Sequence, residues 1–294
     1  MKAKKSLGQN FLINKNKIRK IVEAIDIKYG DALIEIGPGH GELTEEIIER
    51  FGNLKIERFK LVLIEKDDDL AKKLANKFKF PIRLPGEQAS NSQKELILKV
   101  RAGGTIIVGD ALEILPSLAG NFKSDSYKLV GNIPYYITGY LFRILGELKN
   151  KPEKIILMVQ KEVAERICAK IPNMNILAAS VQIWAEPKVI SKVPKEDFRP
   201  QPKVDSAVIC LRAADYKLQP KQLGNYYKFI RILFKQPRKT ILNNLTFGLN
   251  NIELGRARII NRLEAININP GDRPQSLNIK QIVKISESFK TNFI

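Results

Sequence analysis

Apolar positions along the chain alternate between two rhythms, and each change of rhythm marks an element. Ile18, Ile21, Val22 and Ile25 fall at helical spacing, which predicts a helix near 16–27. The short apolar run ALIEI (32–36) follows, passes into Gly37-Pro38-Gly39-His40-Gly41, and gives way to a helical pattern from Leu43 to Arg50. That order reads as strand, glycine turn, helix. KLVLIEK (60–66) predicts a second strand ending in an acid, with a helix over 67–78 behind it. GTIIVGDAL (104–112), SYKLVGNIPYY (126–136) and EKIILMVQ (153–160) predict three more strands, the last leading into the helical KEVAERICAK. PKVISKV (187–193) and DSAVICLR (205–212) add two further strands. Apolar strands alternating with helices indicate a mainly parallel α/β sheet covered on both faces. From residue 222 onward only helical spacing remains, through Tyr226, Phe229, Ile230, Leu233 and Phe234 and then Ile241, Leu242 and Leu245. The chain therefore divides into an α/β domain over 1–213 with a basic N-terminal arm, and a small helical domain over 214–294. Residues 81–104 form a long, partly turn-rich segment between the second and third strands, without an assigned role.

Composition sharpens this picture in one direction. The 294 residues can bury a sizeable core, and 44% hydrophobic with 28% charged residues is ordinary for a globular chain. The balance is not ordinary: 50 Lys and Arg against 31 Asp and Glu give +19. A chain this cationic is matched to a polyanion, either nucleic acid or an anionic membrane surface. The charge sits at the ends. The first twenty residues hold seven basic residues and no acid, and residues 195–294 hold 18 basic and 8 acidic. Lys4, Lys5, Lys15, Lys17, Arg19 and Lys20 at one end, and Lys235, Arg238, Lys239, Arg256, Arg258 and Arg262 at the other, are candidate phosphate contacts. Two cysteines, Cys168 and Cys210, exclude a disulfide scaffold and a cysteine zinc site. A single histidine, His40, leaves no Ser-His-Asp triad or His-rich metal site to expect, and no metal is predicted. No apolar run reaches membrane-spanning length, and the basic N-terminus lacks the apolar core of a secretory signal. The expected compartment is the cytoplasm.

The residues that bear chemistry fall at the C-terminal ends of the strands, the edge where open α/β sheets bind ligands. Glycines between a strand and a helix let backbone N–H groups approach a ligand closely. The spacing here is G-x-G-x-G, not the G-x-G-x-x-G of nicotinamide enzymes. Glu65 ends the second strand, where a ribose-binding acid belongs. Asp110 ends the third, placed to meet an adenine amino group. Together they indicate an adenosyl cofactor. The segment Asn132-Ile133-Pro134-Tyr135 is the most informative. The N6 amine of adenine is a poor nucleophile because its lone pair is delocalised into the ring. A side-chain carbonyl and a backbone carbonyl that accept both N6 hydrogens favour a pyramidal nitrogen with its lone pair directed at an electrophile. Asn132 can supply the first acceptor and the backbone beside rigid Pro134 the second. Tyr135 supplies a flat face for an extruded base.

An ordered series of segments runs nearly end to end: SLGQNFL (6–12), IEIGPGHGELT (34–44), LIEKD (63–67), GDAL (109–112), VGNIPYYI (130–137), MVQKEVAERI (158–167), FRPQPKVDSAV (198–208) and FKQPRKTILNNL (234–245). The chain resembles the S-adenosylmethionine-dependent ribosomal RNA adenine N6,N6-dimethyltransferases of the KsgA type, which act on small-subunit rRNA. The resemblance implies a Rossmann-like methyltransferase domain, with a seven-stranded, mostly parallel sheet carrying one antiparallel strand, followed by a small helical, RNA-binding domain. It implies S-adenosyl-L-methionine as cofactor, contacted by Asn10, Leu12, Gly37, Glu65, Asp110 and Asn132. It assigns Asn132, Tyr135 and Phe198 to the target adenine, the two aromatic residues as the faces of a sandwich. It further implies direct in-line transfer of two methyl groups to each of two adjacent adenosines near the 3′ end of 16S rRNA, in a pre-ribosomal small subunit and by a monomer. Two segments depart from the pattern besides the long 81–104 stretch: Pro237-Arg238 stands where paired arginines are expected, and Arg273-Pro274-Gln275-Ser276-Leu277 lacks the expected acid.

Overall fold

The computed structural model describes residues 4, 7–53, 59–83, 103–122, 126–214, 220–249 and 255–289. Most of the 81–104 segment and Lys5 lie outside them. In chain order the elements are β1 (Phe11–Leu12), α1 (Lys15–Ile25), β2 (Ala32–Ile36), α2 (Glu42–Asn53), β3 (Lys60–Glu65), α3 (Asp68–Phe78), β4 (Ile82–Arg83), β5 (Gly103–Val108), α4 (Ala111–Ala119), β6 (Tyr127–Asn132), α5 (Thr138–Glu147), β7 (Lys154–Gln160), α6 (Lys161–Ile167), α7 (Ile176–Gln182), β8 (Ala185–Val193), β9 (Phe198–Arg199), β10 (Ser206–Ala213), α8 (Pro220–Leu233), α9 (Ile241–Gly248), α10 (Arg256–Glu264) and α11 (Ile279–Ser288).

The main sheet has the order β4-β5-β3-β2-β6-β7-β10-β8. The strands from β4 to β7 pair in parallel, and β10 runs antiparallel to β7, from Ser206 opposite Gln160 to Arg212 opposite Lys154. The seven strands predicted from the apolar runs are all present. The eighth, β4, is a two-residue edge strand too short for any periodicity to reveal. Beginning at β2, the chain builds outward through β3 and β5 and then returns to place β6 on the other side of β2. This reversal is the topological switch point, where the loops at the carboxyl ends of neighbouring strands part and leave a crevice.

Local chemistry fixes where the elements stop. Asn14 caps α1 by accepting a hydrogen bond from the Lys17 amide, and α1 buries Ile18, Ile21, Val22 and Ile25. Asp67 caps α3 in the same way. The run GTIIVGDAL, expected as one strand, divides: β5 ends at Val108, Gly109 turns with φ 144°, and Asp110 becomes the cap of α4. The N-terminal arm ends in β1, which pairs antiparallel with β9, Leu12 opposite Phe198.

Two lysines lie buried within the sheet. Lys128 is 1% exposed, yet its ammonium donates to the Asp26 carbonyl and to Asp31 Oδ2 at 2.7 Å, while Lys154 reaches Asp26 at 3.4 Å. Such a buried charge is tolerated because it is paired.

The chain splits into two compact units, residues 1–164 with 187–213 and residues 165–186 with 214–294. The expected boundary at 213/214 thus needs one correction, since 165–186 belongs with the helical unit. Residues Ala178, Ala179 and Val181 of α7 are buried there, and Tyr226 of α8 donates its hydroxyl to the Ala179 carbonyl at 3.0 Å. A helix this short takes its place from the partner that covers its apolar face.

Candidate active site

A cleft opens at the switch point, walled by residues 7–11 of the arm, the turn after β2, and the ends of β3, β5 and β6. Its floor is the glycine turn. Gly37, Gly39 and Gly41 all have positive φ, at 66°, 62° and 88°. A Cβ on Gly39 would stand 2.8 Å from the Phe11 ring, so this position needs glycine for space as well as for conformation. The Gly39 amide donates to Glu65 Oε2 at 3.1 Å, and the Asp67 amide donates to Glu65 Oε1 at 2.9 Å. Burial pushes the Glu65 carboxyl above its ordinary range, with these two amides opposing it. Asp110 accepts from the Leu112 amide at 2.9 Å and from Lys66 Nζ at 2.8 Å. Burial would raise its carboxyl, but the Lys66 ammonium and the amide outweigh that and hold it below the usual value.

Asn132 ends β6 at the centre of the cleft. Its Nδ2 donates to the Asn10 carbonyl at 2.8 Å. A carbonyl can only face the amide nitrogen, so this bond fixes the orientation of the side chain and leaves Oδ1 as an acceptor. Tyr135 follows on a single 3-10 turn, residues 135–137, and its hydroxyl shares a 2.6 Å hydrogen bond with Ser206 Oγ. Burial raises the phenol pKa, and the ring stays half-buried at the cleft wall.

A neutral amide oriented as an acceptor beside a half-buried tyrosine, over a glycine turn and a ribose-type acid, decides the assignment together with the chain's relatives. A family model described as ribosomal RNA adenine dimethylase matches residues 1–290. The chain belongs to that family. It is a methyltransferase of rRNA adenine and takes its methyl groups from S-adenosylmethionine. The chain is 37% identical over 290 residues to a protein of Mycoplasma mycoides subsp. mycoides named ribosomal RNA small subunit methyltransferase A, covering 97% of each chain. It is 34% identical over 295 residues to one of the same name from Dehalococcoides mccartyi, covering 99% of this chain and 90% of that one. Among solved structures, a dimethyladenosine transferase from Plasmodium falciparum shares the fold with a TM-score of 0.70 at 22% identity, over 97% of this chain and 100% of that one.

The donor set suits the family's cofactor. Each oxygen of Glu65 takes one backbone N–H and keeps a lone pair, which is what two vicinal ribose hydroxyls require. Asp110 keeps acceptor capacity beyond its two bonds.

Six of the eight residues singled out from the sequence line the cleft: Asn10, Gly37, Glu65, Asp110, Asn132 and Tyr135. Leu12 and Phe198 do not. Leu12 is 6% exposed and Phe198 fully buried, paired across β1 and β9 within the apolar core. A ring enclosed in this way presents no face to the cleft, whose aromatic lining comes from Phe11, Tyr135 and Tyr136. Sequence reasoning passed over Phe11, whose ring lies 4.1 Å from that of His40, and Gln9 and Lys66. Alternation along β1 held the signal for Phe11: its neighbour Leu12 points to the core, so Phe11 points to the other side. His40 packs on that ring as an aromatic neighbour.

Proposed function

We propose that this enzyme dimethylates N6 of two adjacent adenosines near the 3′ end of small-subunit (16S) rRNA, within a pre-ribosomal small subunit in the cytoplasm, acting as a monomer. The observation that carries the reading is the Asn132–Asn10 hydrogen bond, which commits the amide nitrogen and reserves Oδ1 for the target amine.

S-adenosylmethionine supplies a methyl group on a positively charged sulfur, already activated for in-line displacement. What remains for the chain is positioning, and oriented reactants gain up to roughly 7–11 kcal/mol. Glu65 and Asp110 hold the nucleoside end of the donor, and the glycine turn admits it close to the backbone. Asn132 Oδ1 and a backbone carbonyl beside Pro134 accept the two N6 hydrogens, which turns the nitrogen lone pair towards the methyl group. Tyr135 stacks on the base, its ring held by the bond to Ser206. The methylated nitrogen is cationic and sheds one proton to solvent; one N–H then remains, and Oδ1 alone can orient it for the second transfer.

The helical unit serves as the RNA-docking domain in this reading. Lys235, Arg238, Lys239, Arg256 and Arg258 are exposed there, as are Lys15 and Lys20 near the arm, and none of them has an ion pair among the described residues. Lys4, Lys17 and Arg19 are engaged within the protein instead. No helix among the described residues is long and apolar enough to cross a membrane.

The test is transfer of labelled methyl groups onto undermethylated small subunits, large subunits and free rRNA, with the modified base mapped. Label in two adjacent adenosines of the small subunit supports the reading. Label in the large subunit, or at any other position, overturns it.

A further inference from the structure

Between its pairing with β9 and its N-terminal end, the arm that walls the cleft is held to the start of α3 through Gln9 and Lys4. Gln9 Nε2 donates to Asp67 Oδ2 at 3.0 Å, and Gln9 Oε1 accepts the Lys4 amide at 2.8 Å. The Lys4 ammonium adds a bond to Asp67 Oδ1 at 2.8 Å and to Asp69 at 3.2 Å. The Asp67 side chain is only 1% exposed, so these bonds form largely out of water, where a charged acceptor is costly to leave unpaired. One residue beyond Gln9, the Asn10 carbonyl takes the hydrogen bond from Asn132 Nδ2. Gly8, with φ 60°, turns the arm against Tyr136, and its carbonyl accepts from Asn10 Nδ2 at 3.2 Å. At the other end, the Asp67 amide donates to Glu65 Oε1.

These contacts form one chain, from Glu65 through Asp67 and Gln9 to Asn10 and Asn132. We propose that Gln9 and Asp67 are positioning residues for methyl transfer: their hydrogen bond holds the arm so that the Asn10 carbonyl orients the Asn132 amide as an acceptor. The inference rests on the role given to Asn132 above and adds what sets that role. It also ties the two halves of the site, since the carboxylate that fastens the arm belongs to the residue whose amide braces the ribose acid. Asn132 sits on a strand, but its amide can rotate about its terminal torsion, and its side-chain hydrogen bond among the described residues is to the arm.

Two variants test this. Gln9→Ala removes the bond. Gln9→Glu combined with Asp67→Asn restores it with donor and acceptor exchanged, and Asn still caps α3. The first readout needs neither cofactor nor RNA: exchange of the Asn132 side-chain amide protons with solvent, followed by NMR in the free protein. Exchange should quicken about tenfold or more in Gln9→Ala and return towards the wild-type rate in the double variant, the size expected for one charge-assisted bond. In turnover on small subunits, kcat should fall on the order of tenfold in Gln9→Ala while KM for the RNA stays within about twofold, and the double variant should recover kcat. Unchanged amide exchange, a loss confined to KM, or a double variant no better than Gln9→Ala would overturn the proposal, including where Gln9→Ala melts early. A wild-type protein that leaves small-subunit adenines unmodified would overturn the Asn132 role instead, and the amide exchange would still report on the arm.

Discussion

Replacing Asn132 with alanine removes two things at once, the acceptor proposed for the target amine and the donor that engages the Asn10 carbonyl. Losing one preorganised polar group at the reacting atoms costs about 10²–10³ in kcat, roughly 3–4 kcal/mol. The freed arm carbonyl adds to that loss by letting residues 7–11 shift. The nucleoside end of the cleft is untouched, because Glu65 and Asp110 draw their bonds from Gly39, Asp67, Leu112 and Lys66. Donor affinity should therefore change by less than about tenfold, a ground-state effect distinct from the loss in turnover. Asn132→Asp makes the comparison sharper. Its carboxylate could accept from the amine, but an oxygen would replace the nitrogen now 2.8 Å from the Asn10 carbonyl, and two acceptors at that distance repel. Aspartate should thus fail to rescue. The assay is initial-rate methyl transfer to undermethylated small subunits at saturating donor, paired with calorimetric titration of the donor. Turnover by Asn132→Ala within about threefold of wild type, or activity restored by aspartate, would refute the orientation argument.

Three other outcomes follow from the same structure. Glu35 is 1% exposed and is pushed up to about 8 by burial, with the nearby Glu65 and Glu42 adding and the Thr44 hydrogen bond opposing. Its folded pKa lies above the 4.5 of an ordinary carboxyl, so the native state keeps a proton that the unfolded chain has lost; stability should fall as pH rises from about 4.5 to about 8, by a few kcal/mol at most, and thermal melts of Glu35→Gln should show that fall much reduced. Gly39→Ala meets both a φ of 62° and the Phe11 ring at 2.8 Å, and should cost about 1–2 kcal/mol in urea unfolding while weakening donor binding; unchanged binding would show that the turn tolerates a side chain. Lys128→Ala removes the buried ammonium from the partly exposed Asp31, which keeps its bond from the Lys28 amide, and should destabilise by about 1–3 kcal/mol in the same experiment, whereas an unchanged midpoint would mean that the pair contributes little.

The sheet was legible because its strands are buried on both faces and read as continuous apolar runs. All five residues of β2, and β3 from Leu61 to Glu65, are buried. The order of the helices was less so, since α7 is a short segment whose place depends on tertiary packing. The site divides along the same line. Gly37, Glu65, Asp110 and Asn132 were legible because strand ends at a switch point have fixed spatial neighbours whatever the intervening loops do. Phe198 and Leu12 were misplaced because their orientation depends on a two-residue pairing between strands 187 positions apart in sequence, which no local pattern encodes. Gln9 was invisible for the same reason, its partner being 58 residues away. Lys4 read as a phosphate ligand from charge alone, and only the fold reveals Asp67 and Asp69 beneath it.

The charge of +19 and the chemistry of the cleft now stand in a definite relation. The carboxylates of Glu65, Asp67 and Asp110 lie in and around the cleft, while the unpaired lysines and arginines lie at the arm and in the helical unit. A base entering the cleft would meet an oriented amide and a tyrosine ring. In the proposed reading polyanion affinity and adenine selection are carried by different residues. The basic surface would then set how tightly and how salt-sensitively RNA is held, without reference to sequence. In the proposed reading selection falls to the Asn132 acceptor, because N6 of adenine is a donor where the equivalent position of guanine is an acceptor, and an oxygen held rigidly against an oxygen rejects it. The rigidity of that one amide, and so of the arm that holds it, is then a condition of specificity as well as of rate.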